Sequence, residues 1–382
     1  MLTNKPFGDI ITFTRASSAT RINALGVIES VASNVPRIDH SPVNLASGTG
    51  TQTLSLPKDR TYALTVVGGG TATVTGGVVN GLTAAAAGVI KTVAGSGNAD
   101  VTFTLSGTVT ALHVREVLGL LVEEQRTNLV TSSAVFNAAP WYQLGHSTLT
   151  QSAVLSPGGT PAFLMVEGAD NYLHYTQTTL SSASVGVPHT FSLYVKAKER
   201  FTISLSIYDT NNRYGHFNLN TGVCEGFTAG VTPSIVSVGG GWFRLSVTYS
   251  PSIANPLVQI FLCPNVAGST TYTGDGVSGL YIWGAQVEVG SFATSYIPTT
   301  TAQVTRAADA PSINTLSPWY NQSEGTVLCE MDIRNYSPAA DRVVFAGFGT
   351  SFVNNGFHAR SYSSPSLVSG IYNGAANQFS GS

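Results

Sequence analysis

The side chains in this sequence whose type and spacing could do chemistry are scattered carboxylates, single histidines, and tyrosines interleaved with amides. Two acids flanking a glycosidic bond can cleave it, and Glu123, Glu124, Glu167, Asp170, Asp209 and Asp275 are the candidates. Glu123 and Glu124 are adjacent, so on a strand they point to opposite faces and cannot flank one bond. With Arg126 two residues on, they read as ion pairs or backbone contacts that dock the N-terminal region. None of the seven histidines has an i, i+2 or i, i+4 partner that would set two imidazoles on one face for a metal. Gly274 to Gly279 matches G-x-G-x-x-G, but the apolar run from Leu280 reads as a strand where the dinucleotide fingerprint needs a helix. Nucleophile-elbow, P-loop and H-E-x-x-H patterns do not occur. No catalytic residue, metal ligand or cofactor is therefore expected.

Aromatic and amide chemistry remains. A sugar ring has an apolar C–H face that stacks on an aromatic ring and a rim of hydroxyls that suits Asn, Gln and Asp. Tyr208, Asp209, Asn211, Asn212, Arg213 and Tyr214 put both in one turn-like stretch, and Trp141 is a further candidate for the same surface. Trp242 and Trp283 lie inside alternating runs and are expected in the core, with His174 and His216 as ordinary strand residues.

The elements that must carry these side chains are strands. Phe191–Lys196, Phe201–Tyr208, Trp242–Tyr249 and the run from Val258 to Leu262 alternate apolar and polar residues with period two, and Gly, Pro and Asn clusters separate them. Only Thr83 to Lys91 has the alanine content for a short helix. The fold class is all-β: a short N-terminal hairpin region, a small inserted β-sandwich, an antiparallel jelly-roll sandwich and the start of a further sandwich.

Composition narrows the partners. Only 10% of the 382 residues are charged, and a net charge of −2 without basic runs gives no field for nucleic acid. The odd set Cys224, Cys263 and Cys329 indicates neither a disulfide framework nor a zinc site. The uncharged run from Thr61 to Ile90 is rich in Gly and Thr, so membrane insertion is not expected. The first residues lack the basic and apolar regions of a secretory signal.

Four zones follow. Residues 1–40 are short hairpins, with strands at Ala19–Asn23 and Val27–Val31 around a turn at Asn23–Gly26. Residues 41–116 form a Val/Thr/Gly-rich island, expected to fold as its own small sandwich. Residues 117–299 hold the jelly roll, and residues 300–382 a linker and a partial sandwich that is expected to continue beyond Ser382.

Three stretches carry a resemblance. They are Phe13–Arg21 with Gly26–Glu29 and Asn34–His40; Gly119–Val130 leading to Trp141; and Leu280–Glu288 with Ser295–Thr300 and Thr305–Asp309. Together and in this order they resemble tail-fibre and receptor-binding structural proteins of tailed bacteriophages. Those proteins carry a carbohydrate-binding-module-like jelly roll, often followed by a concanavalin A-like domain. The resemblance implies a non-enzymatic virion protein of the tail, assembled in the host cytoplasm. It also implies a homo-oligomer, as a trimer, with other virion tail proteins and a host cell-surface glycan as partners. Phe13, Arg15, Arg21 and Arg37, in the first stretch, are the expected attachment residues. In relatives the Pro-Arg-Ile-Asp-His stretch runs almost directly into Gly-Leu-Leu-Val-Glu-Glu, so the island here reads as an insertion. Where relatives show an Asp-Gly-Thr turn, Pro157–Thr160 lacks the carboxylate of a structural calcium site. Two rival readings stay open: a polysaccharide-degrading tailspike with its catalytic domain beyond residue 382, and a decoration or adaptor protein that binds no glycan.

Overall fold

A computed structural model describes residues 11–312, except 182, 265–269 and the side chains of 143–145, together with the backbone of four strands between 343 and 381. The chain divides into two units, Met1–Ile313 and Asn314–Ser382. In the second unit the strands Val343–Phe348, Gly356–Ser361, Leu367–Asn373 and Ala376–Gly381 form one antiparallel sheet. The described residues are all-β, with no helix long and apolar enough to cross a membrane.

Two six-stranded antiparallel sheets form the main sandwich. The first, here the cleft sheet, runs in the order Tyr142–Gly145, Tyr175–Thr179, Leu257–Leu262, Thr202–Tyr208, Tyr214–Asn218 and Val223–Phe227. The second, the backing sheet, runs Ser147–Leu155, Pro161–Glu167, Gly279–Val289, His189–Ala197, Trp242–Tyr249 and Thr232–Gly239. Period-two alternation decides which side chains fill the space between them. Ile203, Leu205 and Ile207 meet Phe191, Leu193, Val195, Leu245 and Val247 in one core. On Gly279–Val289 the phase slips: Leu280 and Ile282 point inward, and then so do Ala285 and Val287. The slip falls at a bulge by Gly284, whose φ of +67° suits glycine and whose added Cβ would lie 2.9 Å from Tyr194. It turns Trp283 to the outer face, where Trp283, Trp242, Tyr194 and Tyr296 make a second cluster.

The region from Thr12 to His40 packs on this chain's own sandwich. Thr12–Thr14 pairs with Ala310–Ser312, the hairpin Ala19–Ile22/Ile28–Val31 closes through Gly26 N and Asn23 O at 2.8 Å, and Ile38–His40 pairs with the end of Val109–Leu120. Thr20 Oγ1 donates to Tyr296 O at 2.5 Å, and Ile28 N to Pro157 O at 2.8 Å. Phe13, Arg15 and Arg37, the residues expected to contact other virion proteins, are all buried within this chain's own fold. Arg15 Nη1 donates to Asp309 Oδ1 at 3.0 Å, and Arg37 bonds the other oxygen of the same carboxylate. Arg37 Nη1 also reaches Glu123 Oε2 at 2.8 Å, Arg306 approaches that oxygen at 3.6 Å, and Ser295 N donates to Glu123 Oε1 at 2.7 Å. Burial opposes the charge of Glu123, but Arg306, Arg37 and the Ser295 hydrogen bonds outweigh it and hold the carboxyl below its ordinary range. Arg21 is half-exposed and already paired with Glu29 at 2.8 Å. The charges that looked available for another protein close this fold instead.

Residues between Ser41 and Glu116 build two further sheets. Val109–Leu120, Thr61–Gly68 and Ala87–Lys91 face Gln52–Pro57, Asn98–Ser106 and Thr71–Gly76 across a core of Leu56, Tyr62, Leu64, Val74, Phe103 and Leu112. The stretch with the alanine content for a short helix ends as a strand. Ala87–Lys91 pairs with Thr61–Thr65, and Ile90 is fully buried, so tertiary pairing and β-branched Val89 and Ile90 override alanine propensity.

Candidate glycan-binding cleft

The face of the cleft sheet turned away from the core carries the candidate site. Strand register sets its side chains in two rows across four strands. One row reads Tyr175, Phe261, Ser204, His216; the next reads Gln177, Gln259, Ser206, Tyr214. Aromatic rings stand on both sides of a serine floor. Tyr175 and Phe261 stack with centroids 5.1 Å apart, and Tyr214 leans on His216 at 4.4 Å. Because serine is small, the rows leave a trough of about 290 Å³, extended by Tyr208 and Asn212. That is near the lower end of small-molecule sites.

The polar groups on the floor are specific. Gln259 Nε2 donates to Gln177 Oε1 at 2.9 Å. Ser204 Oγ bonds His216 Nδ1 and lies 3.1 Å from Cys263 Sγ. Burial pushes His216 below its ordinary pKa against the raising effect of Glu225. The Ser204–His216 pair resembles a nucleophile and its base. However, among the described residues His216 Nε2 has no hydrogen-bond partner, so no described carboxylate orients the ring as a triad requires.

The loop singled out in the sequence divides by role. Tyr208, Asn212 and Tyr214 line the trough. Asp209 does not: it is buried and accepts hydrogen bonds from Ser252 N (3.0 Å), Ser252 Oγ (2.7 Å) and Tyr249 Oη (3.1 Å). Its burial disfavours the charge. The bonds from Ser252, Asn211 N and Thr210 N win and hold the carboxyl well below the ordinary aspartate range. Arg213 donates through Nε to Tyr249 Oη at 3.2 Å and lies over the Tyr249 ring, so it too fixes the loop. Asn211 is exposed and bonds Thr210 Oγ1. Trp141 is only 3% exposed, packs on Phe136 at 4.9 Å and donates Nε1–H to Ser132 O, so its ring offers no face to a ligand.

The carboxylates tested for acid–base work are engaged elsewhere. Arg200 Nε donates to Glu167 Oε2 at 2.7 Å, Tyr272 Oη to the same oxygen at 2.5 Å and Asp275 N to Oε1 at 2.9 Å. Asp275 accepts from the Ser278 hydroxyl, Ser278 N and Val277 N, which hold it below its ordinary range. Asp170 pairs with His146 at 2.7 Å. Among the described residues no group of three or more His, Cys, Asp or Glu could hold a metal ion.

Ser204, Ser206, Gln259 and Phe261 were missed from the sequence; Tyr175 stood among its aromatic candidates behind the 208–214 loop, and His216 was read as an ordinary strand residue. The available signal was the pair of serines on Thr202–Tyr208 facing away from Ile203 and Leu205. It acquires meaning only with the register that sets aromatics on both sides.

No family model matches the chain, and no curated protein does. Among solved structures, the N-terminal CBM22-1-CBM22-2 tandem domain of Paenibacillus barcinonensis Xyn10C is similar over 73% of this chain and 98% of that one, with 12% identity and a TM-score of 0.29. An overlap at that level sets no residue of one chain against a residue of the other.

Proposed function

We propose that the protein is a non-enzymatic glycan-binding protein that holds a sugar in the trough of the cleft sheet. The observation carrying this reading is the trough itself: aromatic side chains on two sides, hydroxyl and amide groups on the floor, and carboxylates engaged outside it. Apolar sugar faces need the first and sugar hydroxyls the second. The finer assignment is a tail fibre of a tailed bacteriophage, a homotrimer in the virion that contacts host-surface glycans. Its support is the ordered set of three resembling stretches. They converge physically, since Arg15 and Arg37 come from the first, Glu123 from the second and Arg306 and Asp309 from the third.

Isothermal titration of the full chain with bacterial surface polysaccharides tests the binding role. Saturable binding that Tyr214→Ala weakens supports it, and binding untouched by that change contradicts it. Antibody labelling of purified particles tests the fibre assignment, with signal expected on the tail.

A further inference from the structure

Three polar atoms on the trough floor have no partner among the described residues: Ser206 Oγ, His216 Nε2 and Gln259 Oε1. Their residues are each more than nine-tenths buried, and all three line the cavity. Buried polar groups are nearly always satisfied, so a cluster of unsatisfied ones on residues that line a cavity points to a ligand or ordered water that supplies the missing partners. Ser206 stands opposite both Gln259 and Tyr214, and His216 is one row away beside Ser204. Among the described lining residues there is no Lys, Arg, Asp or Glu.

Resting on the glycan reading above, we propose that the trough takes an uncharged pyranose and rejects carboxylated sugars. In this arrangement His216 donates Nε2–H to a ligand hydroxyl, Gln259 Oε1 accepts from one, and Ser206 completes the set.

The proton arrangement follows from the atoms behind the floor. Burial pushes the Cys263 thiol up to about 12 against the Ser204 hydrogen bond, so it keeps its proton, which either Phe261 O at 3.9 Å or Ser204 Oγ at 3.1 Å can accept. With the thiol donating to Ser204, Ser204 donates its own proton to His216 Nδ1 in the tautomer that leaves this nitrogen bare. A neutral imidazole with Nδ1 accepting carries its proton on Nε2, the nitrogen left open. A sugar hydroxyl both donates and accepts, so neighbouring hydroxyls can satisfy His216 and Gln259 together. A carboxylate only accepts: placed against Gln259 it would leave Oε1 unsatisfied, and anywhere in the trough it would lose hydration with no cation among the described lining residues to replace it. Glu225, whose charge is felt at His216, opposes a second negative charge there.

The test is isothermal titration of the full chain at neutral pH with two oligosaccharide panels. One holds neutral hexoglycans: β-1,4-glucan, β-1,4-mannan and α-1,4-galactan. The other holds their uronate counterparts: oligoglucuronate, oligomannuronate and oligogalacturonate. Binding of a neutral member is expected to be at least about tenfold tighter than that of its uronate counterpart. Ser206→Ala removes a hydroxyl that bonds nothing in the protein, so it is expected to leave the melting temperature unchanged while weakening the neutral ligand about fivefold. His216→Gln, which can place an amide N–H near the Nε2 position, is expected to keep more affinity than His216→Ala. A uronate bound as tightly as its neutral counterpart, or unaltered affinity in Ser206→Ala, overturns this inference and leaves the glycan reading standing. Failure of the wild-type protein to bind either panel overturns the glycan reading and this inference with it.

Discussion

Arg15 and Asp309, 294 residues apart in sequence, meet through Nη1 and Oδ1 at 3.0 Å with neither side chain exposed. Arg37 shares that carboxylate and also pairs with Glu123, so one aspartate serves two buried guanidinium groups. Asp309→Ala leaves both without it. The expected loss is about 3–5 kcal/mol, the range for removing one partner of a buried pair. Urea denaturation of the full chain checks this, and a loss below about 1 kcal/mol, the level of surface pairs, would contradict it.

Acid should loosen the same junction, through Glu123, and the loop beside the trough, through Asp209. Glu123 and Asp209 both have folded pKa values below their ordinary ones, Glu123 through Arg306, Arg37 and Ser295 against burial, and Asp209 through Ser252, Asn211 N and Thr210 N against burial. A depressed carboxylate pKa contributes stability that is complete above the unfolded value, about 4, and is lost as pH falls below it toward the folded value. Melting temperature measured from pH 7 to pH 2 should therefore drop chiefly below pH ~4. In Glu123→Gln, already destabilised at neutral pH, that drop should be shallower.

The island should be removable. Ser41 N donates to Glu116 O at 2.8 Å, and His40 pairs with Val117, so its entry and exit already lie side by side in an antiparallel ladder. Replacing residues 42–115 by Asn-Gly would turn that ladder into an ordinary two-residue hairpin. Circular dichroism and a cooperative melt of the shortened protein check this. Aggregation or a non-cooperative melt would mean that the island supports the sandwich.

Much of the fold was legible because a half-buried strand writes its burial into alternate residues, as Ile203, Leu205 and Ile207 do. The bulge by Gly284 was not, since a one-residue slip looks like broken alternation until the partner strand is known. Arg15 and Arg37 misled for a similar reason. A charge in a short segment reads as exposed when its counter-charges lie 86 and 294 residues away. The site was half visible. Tyr208, Asn212 and Tyr214 share one loop, whereas Tyr175, Gln259 and Phe261 join them only through strand order.

Tyr214 ties the legible half of the site to the rest. It is half-buried against His216 and caps one side of the trough. Tyr214→Ala should weaken glycan binding about tenfold, roughly 1.4 kcal/mol, because few aromatic contacts carry most of an interface. Trp141→Phe, a change within the core, should leave affinity unaltered. Titration of both variants with one oligosaccharide separates the two expectations.

A crystal structure of the full chain soaked with its tightest-binding neutral oligosaccharide tests the central claim most directly. The account predicts a sugar ring on the cleft sheet between the Tyr175–Phe261 stack and Tyr214, with hydroxyls within hydrogen-bond distance of Ser206, His216 and Gln259. An ordered oligosaccharide on the backing sheet or on the island, with the trough empty, would contradict it.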